Sequence, residues 1–379
     1  MDIYKISLND ANAFLTKLNC DNSGVKIMSK KTKVHTFLIK NMHVGAANIL
    51  KQDALSIGAD LAVPEGVIVA RDKHVNVMLI GTIKHIEILS KKELAQPFGL
   101  KELAKVLKSF LHEENFPVKI MGVLNANEDS FFKNSRFDNS SASQKIEKMI
   151  EDGANIIDIG AVSSRPGSLP VSPEIELDRV KDIAQTIYKN KYYDKVQFSI
   201  DSYEPKVINY VLDHGFKIIN DITGLENDKV CELVAKYNAT AVIMHMQNNQ
   251  TNMQNDPYYE DVIVEIDNFF KERVEKVKNF GVKDIVLDVG IGFGKSLEHN
   301  LLLLKNLEHF KHFGYELLIG ASRKSMINMI TPTEVIDRLP GTLAIHLESI
   351  RYGASIIRCH DVKEHSQAIK VFEAIEKIN

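Results

Sequence analysis

The chain has no tryptophan, three cysteines and ten prolines in 379 residues. Cys20, Cys231 and Cys359 stand far apart, without the spacing of a zinc site or a disulfide framework, so a reducing cytoplasm is the expected compartment. Long apolar runs are missing too. None approaches the roughly 20 residues of a membrane helix, and the start, Met-Asp-Ile-Tyr-Lys-Ile-Ser, lacks the apolar core of a signal peptide. No membrane contact is expected. Nor is there an excess of one charge: 47 basic against 50 acidic side chains give a formal net charge of −3, which leaves no basic footprint for nucleic acid. Internal repeats and low-complexity tracts are absent. What remains is ordinary globular composition, 44% hydrophobic and 26% charged, long enough for two domains.

Arginine is also scarce beside lysine, and its placement is uneven. Arg165, Arg323 and Arg358 each follow an expected strand. A planar guanidinium suits phosphate better than an ammonium does, so this placement hints at an anionic substrate.

The strongest positive signal is a series of short apolar runs that stop at a charged or amide side chain. They end at Asp158, Asp201, Asn220 with Asp221, His245, Asp288, and Arg358 with His360. Val- and Ile-rich runs of this length read as buried parallel strands. Strands are expected at 118–124, 155–159, 196–200, 217–220, 239–244, 284–288, 316–319 and 355–359, each followed by a helical segment. Eight such units in about 260 residues match a barrel of parallel strands, and polar residues at their carboxyl ends mark where its active site lies. The expected fold class is therefore α/β: a (β/α)8 TIM barrel over 116–379, preceded by a smaller N-terminal α/β domain over 1–115. In that first domain, strands are expected at 36–39, 67–70 and 75–80 and helices at 43–57 and 99–112. It offers no constellation for chemistry.

Asp201, Asn220 and Asp288 end three different strands and so share one mouth. Two carboxylates and an amide suit a flat, nitrogen-rich ring that presents N–H donors beside an acceptor; helix capping is the plainer explanation for any one of them. Lys324, in Ala-Ser-Arg-Lys-Ser after the seventh strand, can balance those carboxylates. Arg358 and His360, two apart on the eighth strand, share a face and with Ser164 and Arg165 can hold phosphate oxygens. Asn125 at the end of the first strand is a possible oxygen ligand for Mg²⁺, or simply a turn residue. Gly290-Ile-Gly-Phe-Gly-Lys295 is not a P-loop by spacing, and its glycines suit a close approach of backbone to ligand, with Phe293 packing on it. Met244 offers an apolar wall or plain core.

Taken in order, Ile-Met-Gly-Val-Leu-Asn (120–125), Asp-Ile-Gly (158–160) with Ser-Arg-Pro-Gly (164–167), Ser-Ile-Asp-Ser (199–202), Ile-Asn-Asp-Ile (219–222), Met-His-Met-Gln (244–247), Gly-Ile-Gly-Phe-Gly-Lys (290–295), Ser-Arg-Lys-Ser (322–325), Arg338 with Gly-Thr (341–342) and Ile-Ile-Arg-Cys-His-Asp-Val (356–362) resemble the dihydropteroate synthase family. The resemblance covers about 117–379. It implies a transferase of folate biosynthesis that joins 4-aminobenzoate to 6-hydroxymethyl-7,8-dihydropterin diphosphate and releases pyrophosphate. It implies that Asp201, Asn220, Asp288 and Lys324 hold the pterin, with Met244 and Phe293 lining its pocket. Asn125, Ser164, Arg165, Arg358 and His360 would hold the pyrophosphate, Asn125 through Mg²⁺, and Phe131, Pro166 and Ser325 would border the aminobenzoate. Catalysis would rest on Lys324, Asp201, Arg358 and His360. Sulfonamides are expected inhibitors and a homodimer is a possible assembly.

Several positions depart from the family. Asn-Ala-Asn-Glu-Asp-Ser-Phe (125–131) replaces Asn-Val-Thr-Pro-Asp-Ser-Phe, Lys133 stands where an aspartate is usual, 161–164 read Ala-Val-Ser-Ser in place of Gly-Glu-Ser-Thr, and Val289 replaces proline. Two other readings stay open at this level: a non-catalytic pterin-binding or regulatory paralogue, and a pterin-dependent methyltransferase.

Overall fold

In the computed structural model, residues 1–111, 114–126, 139–162, 171–248 and 251–378 are described. The chain divides into two compact units. One is Met1–Glu113 with His312–Gly314 and Glu373–Asn379; the other is Glu114–Lys311 with Tyr315–Phe372.

The first unit opens with two short helices, α1 (Ala11–Lys17) and α2 (Asn22–Met28). Each starts at an aspartate, Asp10 or Asp21, whose carboxylate accepts backbone N–H groups that the first helical turn leaves unpaired. There follow β1 (Val34–His43), α3 (Val44–Ser56), β2 (Asp60–Ala62), β3 (His74–Thr82), α4 (Ile83–Lys92) and α5 (Leu100–Ser109). The strands form an antiparallel sheet in the order β1-β3-β2, with a register break between Ile39 and Met42. Asn41 at that break adopts φ of 52°, and its N–H is taken by the Asn76 amide oxygen at 2.9 Å. Leu50 of α3, Ile86 and Leu89 of α4, and Leu100 and Leu107 of α5 join Val77 and Leu79 of β3 in one core.

The strand expected at 67–70 is instead a single 3-10 turn, Val67–Val69. Gly66 and Ala70, on either side of it, have φ of 85° and 52°, and the left-handed backbone at both ends prevents extension. Helix α4 was not expected, because its Ile-Lys-His-Ile start continues the apolar run of β3. Thr82 ends the strand, and its N–H donates to His85 Nδ1 at 3.3 Å, which closes the start of the helix.

Glu93 in this unit is fully buried, and neither of its carboxylate oxygens accepts a hydrogen bond. Burial first, then the neighbouring Asp53 carboxylate, push its carboxyl up to about 7. An unfolded glutamate ionises near about 4.3. The folded unit therefore favours the neutral acid, and the stability it contributes is full below the unfolded value and lost as pH rises through about 7. The thermal midpoint of the unit is expected to fall between about pH 5 and about pH 8, and Glu93→Gln should flatten that slope and raise the midpoint at the alkaline end. An unchanged slope in the variant would contradict the buried acid.

The second unit is a closed barrel of eight parallel strands, as the sequence predicts. In chain order they are β4 (Lys119–Asn125), β5 (Ile156–Gly160), β6 (Gln197–Asp201), β7 (Ile218–Asp221), β8 (Thr240–Met244), β9 (Asp284–Asp288), β10 (Glu316–Ile319) and β11 (Ile356–Cys359), with β11 pairing back onto β4. The intervening helices are α6 (Asn139–Glu151), α7 (Pro173–Lys189), α8 (Pro205–Leu212), α9 (Asp228–Lys236), α10 (Val262–Asn279), α11 (Leu297–Lys305), and α12 (Ser325–Ile330) with α13 (Leu339–Arg351); α14 (Val362–Glu376) closes the chain. Proline opens α7 and α8, where its fixed φ and missing N–H cost nothing. Among the described residues no helix is long and apolar enough to cross a membrane.

Met121, Ile156, Ile218, Val242, Val286, Leu318 and Ile356 form an apolar plug inside the barrel, one from each strand except β6. In register with them, β6 contributes the buried Ser199, which lies between Asp158 and Ile218. Burying each of these large side chains is worth about 1.5–3 kcal/mol, and the plug closes the barrel beneath its carboxyl end.

Candidate active site

Strand side chains alternate, so the inward position two residues beyond each plug residue faces the barrel mouth. Those positions hold Val123 on β4, Asp158 on β5, Asn220 on β7, Met244 on β8, Asp288 on β9, Gly320 just past β10 and Arg358 on β11, and Asp201 stands two beyond Ser199 on β6. A largely polar layer, broken by Val123, Met244 and Gly320, thus sits directly on an apolar floor. Asp158, Asp201, Asn220, Met244 and Asp288 are all buried.

Arg358 organises one side of the layer. Its Nε donates to Asp158 Oδ2 at 2.7 Å and its Nη2 to Asp201 Oδ2 at 2.8 Å. Asn220 Nδ2 donates to the same Asp158 oxygen at 3.2 Å. Burial raises the Asp201 carboxyl well above the usual range, with Arg358 opposing it and Asp158, Glu176 and Asp221 adding to it. Arg358 itself stays charged, since the two aspartates outweigh its desolvation. Buried atoms left without partners gather nearby: Asp158 Oδ1, Ser199 Oγ and Glu176 Oε1. Unsatisfied polar atoms at such a depth have a cost unless water or a ligand meets them.

Lysines supply the other side. Lys324 lies with its Nζ 4.4 Å from the centre of the Phe293 ring and donates to the Ile291 carbonyl. Burial lowers its pKa to about 8, against the pull of Asp288, so it is mainly protonated at neutral pH. Burial likewise raises Asp288, opposed by the Gly290 N–H, which donates to Asp288 Oδ1 at 2.8 Å, and then by Lys324. Lys295 is buried behind this pair. Its Nζ donates to the Phe293 carbonyl at 2.9 Å and to His245 Nδ1 at 3.0 Å, and burial brings its pKa down to about 7. Burial and the Lys295 ammonium keep His245 neutral, with Nδ1 as the acceptor.

The glycine run permits this crowding. Gly290 has φ of 68°, and a Cβ there would lie 1.9 Å from the His245 carbonyl oxygen. Gly290→Ala is expected to destabilise the barrel by about 3 kcal/mol, from left-handed strain plus the displaced end of β8. Urea unfolding checks this; a loss below about 0.5 kcal/mol would mean that the strand ends tolerate the methyl group.

The remaining expected residues fall in three groups. His360 is exposed at the rim, where its Nδ1 lies 2.9 Å from Ser322 Oγ. Asn125 ends β4 half-buried, with its amide oxygen above Gly160, and Ser325 is exposed at the start of α12. Phe131, Lys133, Ser164, Arg165 and Pro166 lie outside the described residues. Arg323, whose position gave the same hint of an anion, is held here by groups of the protein itself. Its Nε and Nη2 bind the Asp361 carboxylate at 3.0 and 2.7 Å, and Nη1 donates to the carbonyls of Val335 and Ile336. Three residues at the site were given no role from sequence: Asp158, Glu176 and Lys295. Asp158 ends an apolar run like the others, and the two-residue step beyond the plug would have placed it; Glu176 lies one turn into α7 and carries no comparable signal.

Comparison with known proteins gives a consistent picture. The sequence profile of the pterin binding enzyme family matches residues 121–360. The bifunctional dihydropteroate synthase/dihydropteroate reductase of Helicobacter pylori is 42% identical over 365 residues, 96% of either chain. The dihydropteroate synthase of Yersinia pestis, solved in complex with a sulfonamide drug, superposes with a TM-score of 0.63 at 37% identity, over 68% of this chain and 94% of its own. That of Thermus thermophilus, in complex with 4-aminobenzoate, gives a TM-score of 0.61 at 33% identity, over 68% and 95%.

Proposed function

The chain belongs to the dihydropteroate synthase family of pterin-binding enzymes, and from that premise we propose that it is a transferase of folate biosynthesis. It condenses 6-hydroxymethyl-7,8-dihydropterin diphosphate with 4-aminobenzoate to give 7,8-dihydropteroate and pyrophosphate. The observation that carries this reading is the polar layer on its apolar floor: Asp201, Asn220, Asp288 and Arg358 with Lys324 above them.

The pterin edge offers N–H donors to Asp201 and Asp288 and a donor–acceptor edge to Asn220, while Met244 and Phe293 wall the ring. Arg358, His360 and Asn125, with Ser164 and Arg165, hold the diphosphate. Phe131, Pro166 and Ser325 border the aminobenzoate. The reaction is dissociative. The C–O bond of the pterin methylene breaks first, pyrophosphate takes the electron pair, and buried carboxylates, Asp201 above all, stabilise the methylene cation. Lys324, Arg358 and His360 meet the negative charge that develops on the leaving group, in a site where fixed charges act strongly. The amine of 4-aminobenzoate then forms the C–N bond and releases its proton.

A neutral amide oxygen at the rim, with a diphosphate to bring further oxygens, fits Mg²⁺, which keeps most of its coordination for water and phosphate; Asn125 would hold it. When bound, the ion supplies positive charge to the departing pyrophosphate. The three free cysteines agree with a reducing, cytoplasmic setting.

Purified full-length protein should form dihydropteroate from the two substrates, with sulfonamides competitive against 4-aminobenzoate. Non-competitive or absent inhibition would argue against the aminobenzoate pocket. A second activity is proposed on one observation. The Helicobacter pylori relative matches 96% of this chain, a span that reaches into the first unit, and its name includes dihydropteroate reductase. Tetrahydropteroate formation from dihydropteroate with a reduced nicotinamide tests this, and its absence with dihydropteroate bound would remove it.

A further inference from the structure

Behind the Lys324 loop, two buried histidines link the ends of β10 and β11. The Ala321 N–H, just past β10, donates to His346 Nε2 of α13 at 3.0 Å. His346 Nδ1 lies 2.8 Å from His365 Nε2 of α14, and His365 Nδ1 lies 2.6 Å from the Asp361 carbonyl oxygen, just past β11. Both side chains are 1% exposed. Burial, reinforced for His346 by the neighbouring His365, holds both imidazoles neutral, so each carries one N–H.

The two ends of this line leave one proton arrangement. An amide N–H can only donate, so His346 Nε2 must accept and its proton sits on Nδ1. A carbonyl oxygen can only accept, so His365 must carry its proton on Nδ1 and leave Nε2 free to take the bond from His346. All three hydrogen bonds are satisfied by this arrangement and by no other.

The same loop is tied to the same turn a second time. Asp361 holds the Arg323 guanidinium through both carboxylate oxygens, Thr342 Oγ1 takes the Arg323 N–H at 2.9 Å, and Arg338 Nη1 donates to the Arg323 carbonyl at 3.1 Å. Arg323 adopts φ of 55°, a backbone state that a non-glycine residue keeps only when its surroundings impose it. The next residue is Lys324.

We propose that His346 and His365 are positioning residues. They fix the 321–324 loop against the 360–361 turn, so that Lys324 on one side and Arg358 with His360 on the other keep the separation that the reaction needs. The inference rests on the roles given to Lys324, Arg358 and His360 in the proposed function. Their hydrogen bonds go to the backbone and to each other, so they position the mouth through the backbone they hold.

Asp201, Asn220 and Asp288, the part of the pterin grip that sits on strands, do not depend on this loop and should survive loss of the line. In the full chain, His346→Leu is expected to lower kcat by about 10- to 100-fold, the usual penalty for a misplaced catalytic group. The Kd for 6-hydroxymethylpterin should stay within about twofold. His346→Gln, whose amide again offers an acceptor and a donor, should recover most of the rate. A role in stability alone would shift the thermal midpoint and leave kcat at saturating substrate unchanged, which would overturn the proposal. Equal losses in the Leu and Gln variants would overturn it too. If His346→Leu does not fold, His365→Leu is measured in the same way; failure of both to fold makes the pair a stability element and ends the proposal. The wild-type chain is assayed first: no turnover there removes the proposed function and this inference with it, whereas an active wild type beside an unimpaired variant removes the inference alone.

Discussion

Lys324→Ala is expected to lower kcat about 10³-fold, with a much smaller change in pterin affinity. Lys324 is half-buried at the mouth, over the Phe293 ring, and lies in the field of Asp288 and Asp201. It has a pKa of about 8 and so remains mostly cationic at neutral pH. As the C–O bond breaks, one further unit of negative charge gathers on the leaving pyrophosphate, and a preset ammonium needs no reorganisation to meet it. Removing it also leaves Asp288 with less to oppose its burial, so that carboxyl rises further and grips the pterin N–H groups less well in the ionised form. The pH profile carries a second signature. The ammonium is lost as pH rises through about 8, so wild-type kcat should fall on the alkaline side, and the variant should lack that limb. Activity within about threefold of wild type would take Lys324 out of the chemistry.

Arg358→Ala should be the most damaging change to the fold of the mouth. The guanidinium bridges two carboxylates, Asp158 with no exposure and Asp201 with 8%. Breaking a buried pair leaves an uncompensated charge, at a cost of about 3–5 kcal/mol. Part of that cost is avoided when Asp201, already raised by burial, takes up a proton, and the protonated acid no longer stabilises a cationic methylene. Stability and kcat should therefore fall together, and binding of a pyrophosphate-bearing ligand should weaken more than that of the free pterin. Adding Asp158→Asn removes one of the stranded charges. The double variant should then be more stable than Arg358→Ala alone, and an additive loss would contradict the coupling. Arg358→Lys should recover little, because a single ammonium cannot span both aspartates with two directed hydrogen bonds.

Much of this site was legible because strand geometry is strict. An apolar run bounded by a polar side chain fixes both the strand and, two residues past a core position, the group that faces the mouth. Asp201, Asn220 and Asp288 come straight from that rule, and β9 and β10 match their expected bounds to the residue. Partner choice was not legible. Arg323 in the loop past β10 and Arg358 on β11 gave the same hint, yet one is held by Asp361 and two carbonyls and the other stands between Asp158 and Asp201. Such pairings join residues 12 to 200 positions apart, and the longest of them depend on the closed barrel. The histidine line between Ala321 and Asp361 was hidden for the same reason. In the first unit, the apolar 67–70 run looks like a strand because composition carries no sign of the left-handed backbone at Ala70. Local pattern sets the elements, and tertiary closure assigns the partners.

The central claim is that the polar layer above the plug holds a pterin diphosphate and releases its pyrophosphate to an aromatic amine. Pyrophosphate release by the full-length protein with Mg²⁺, measured with and without 4-aminobenzoate, tests it most directly. Release that depends on 4-aminobenzoate, in step with dihydropteroate formed, is the predicted result. No release while the pterin remains bound would contradict it and leave a chain that binds pterin without carrying out the transfer.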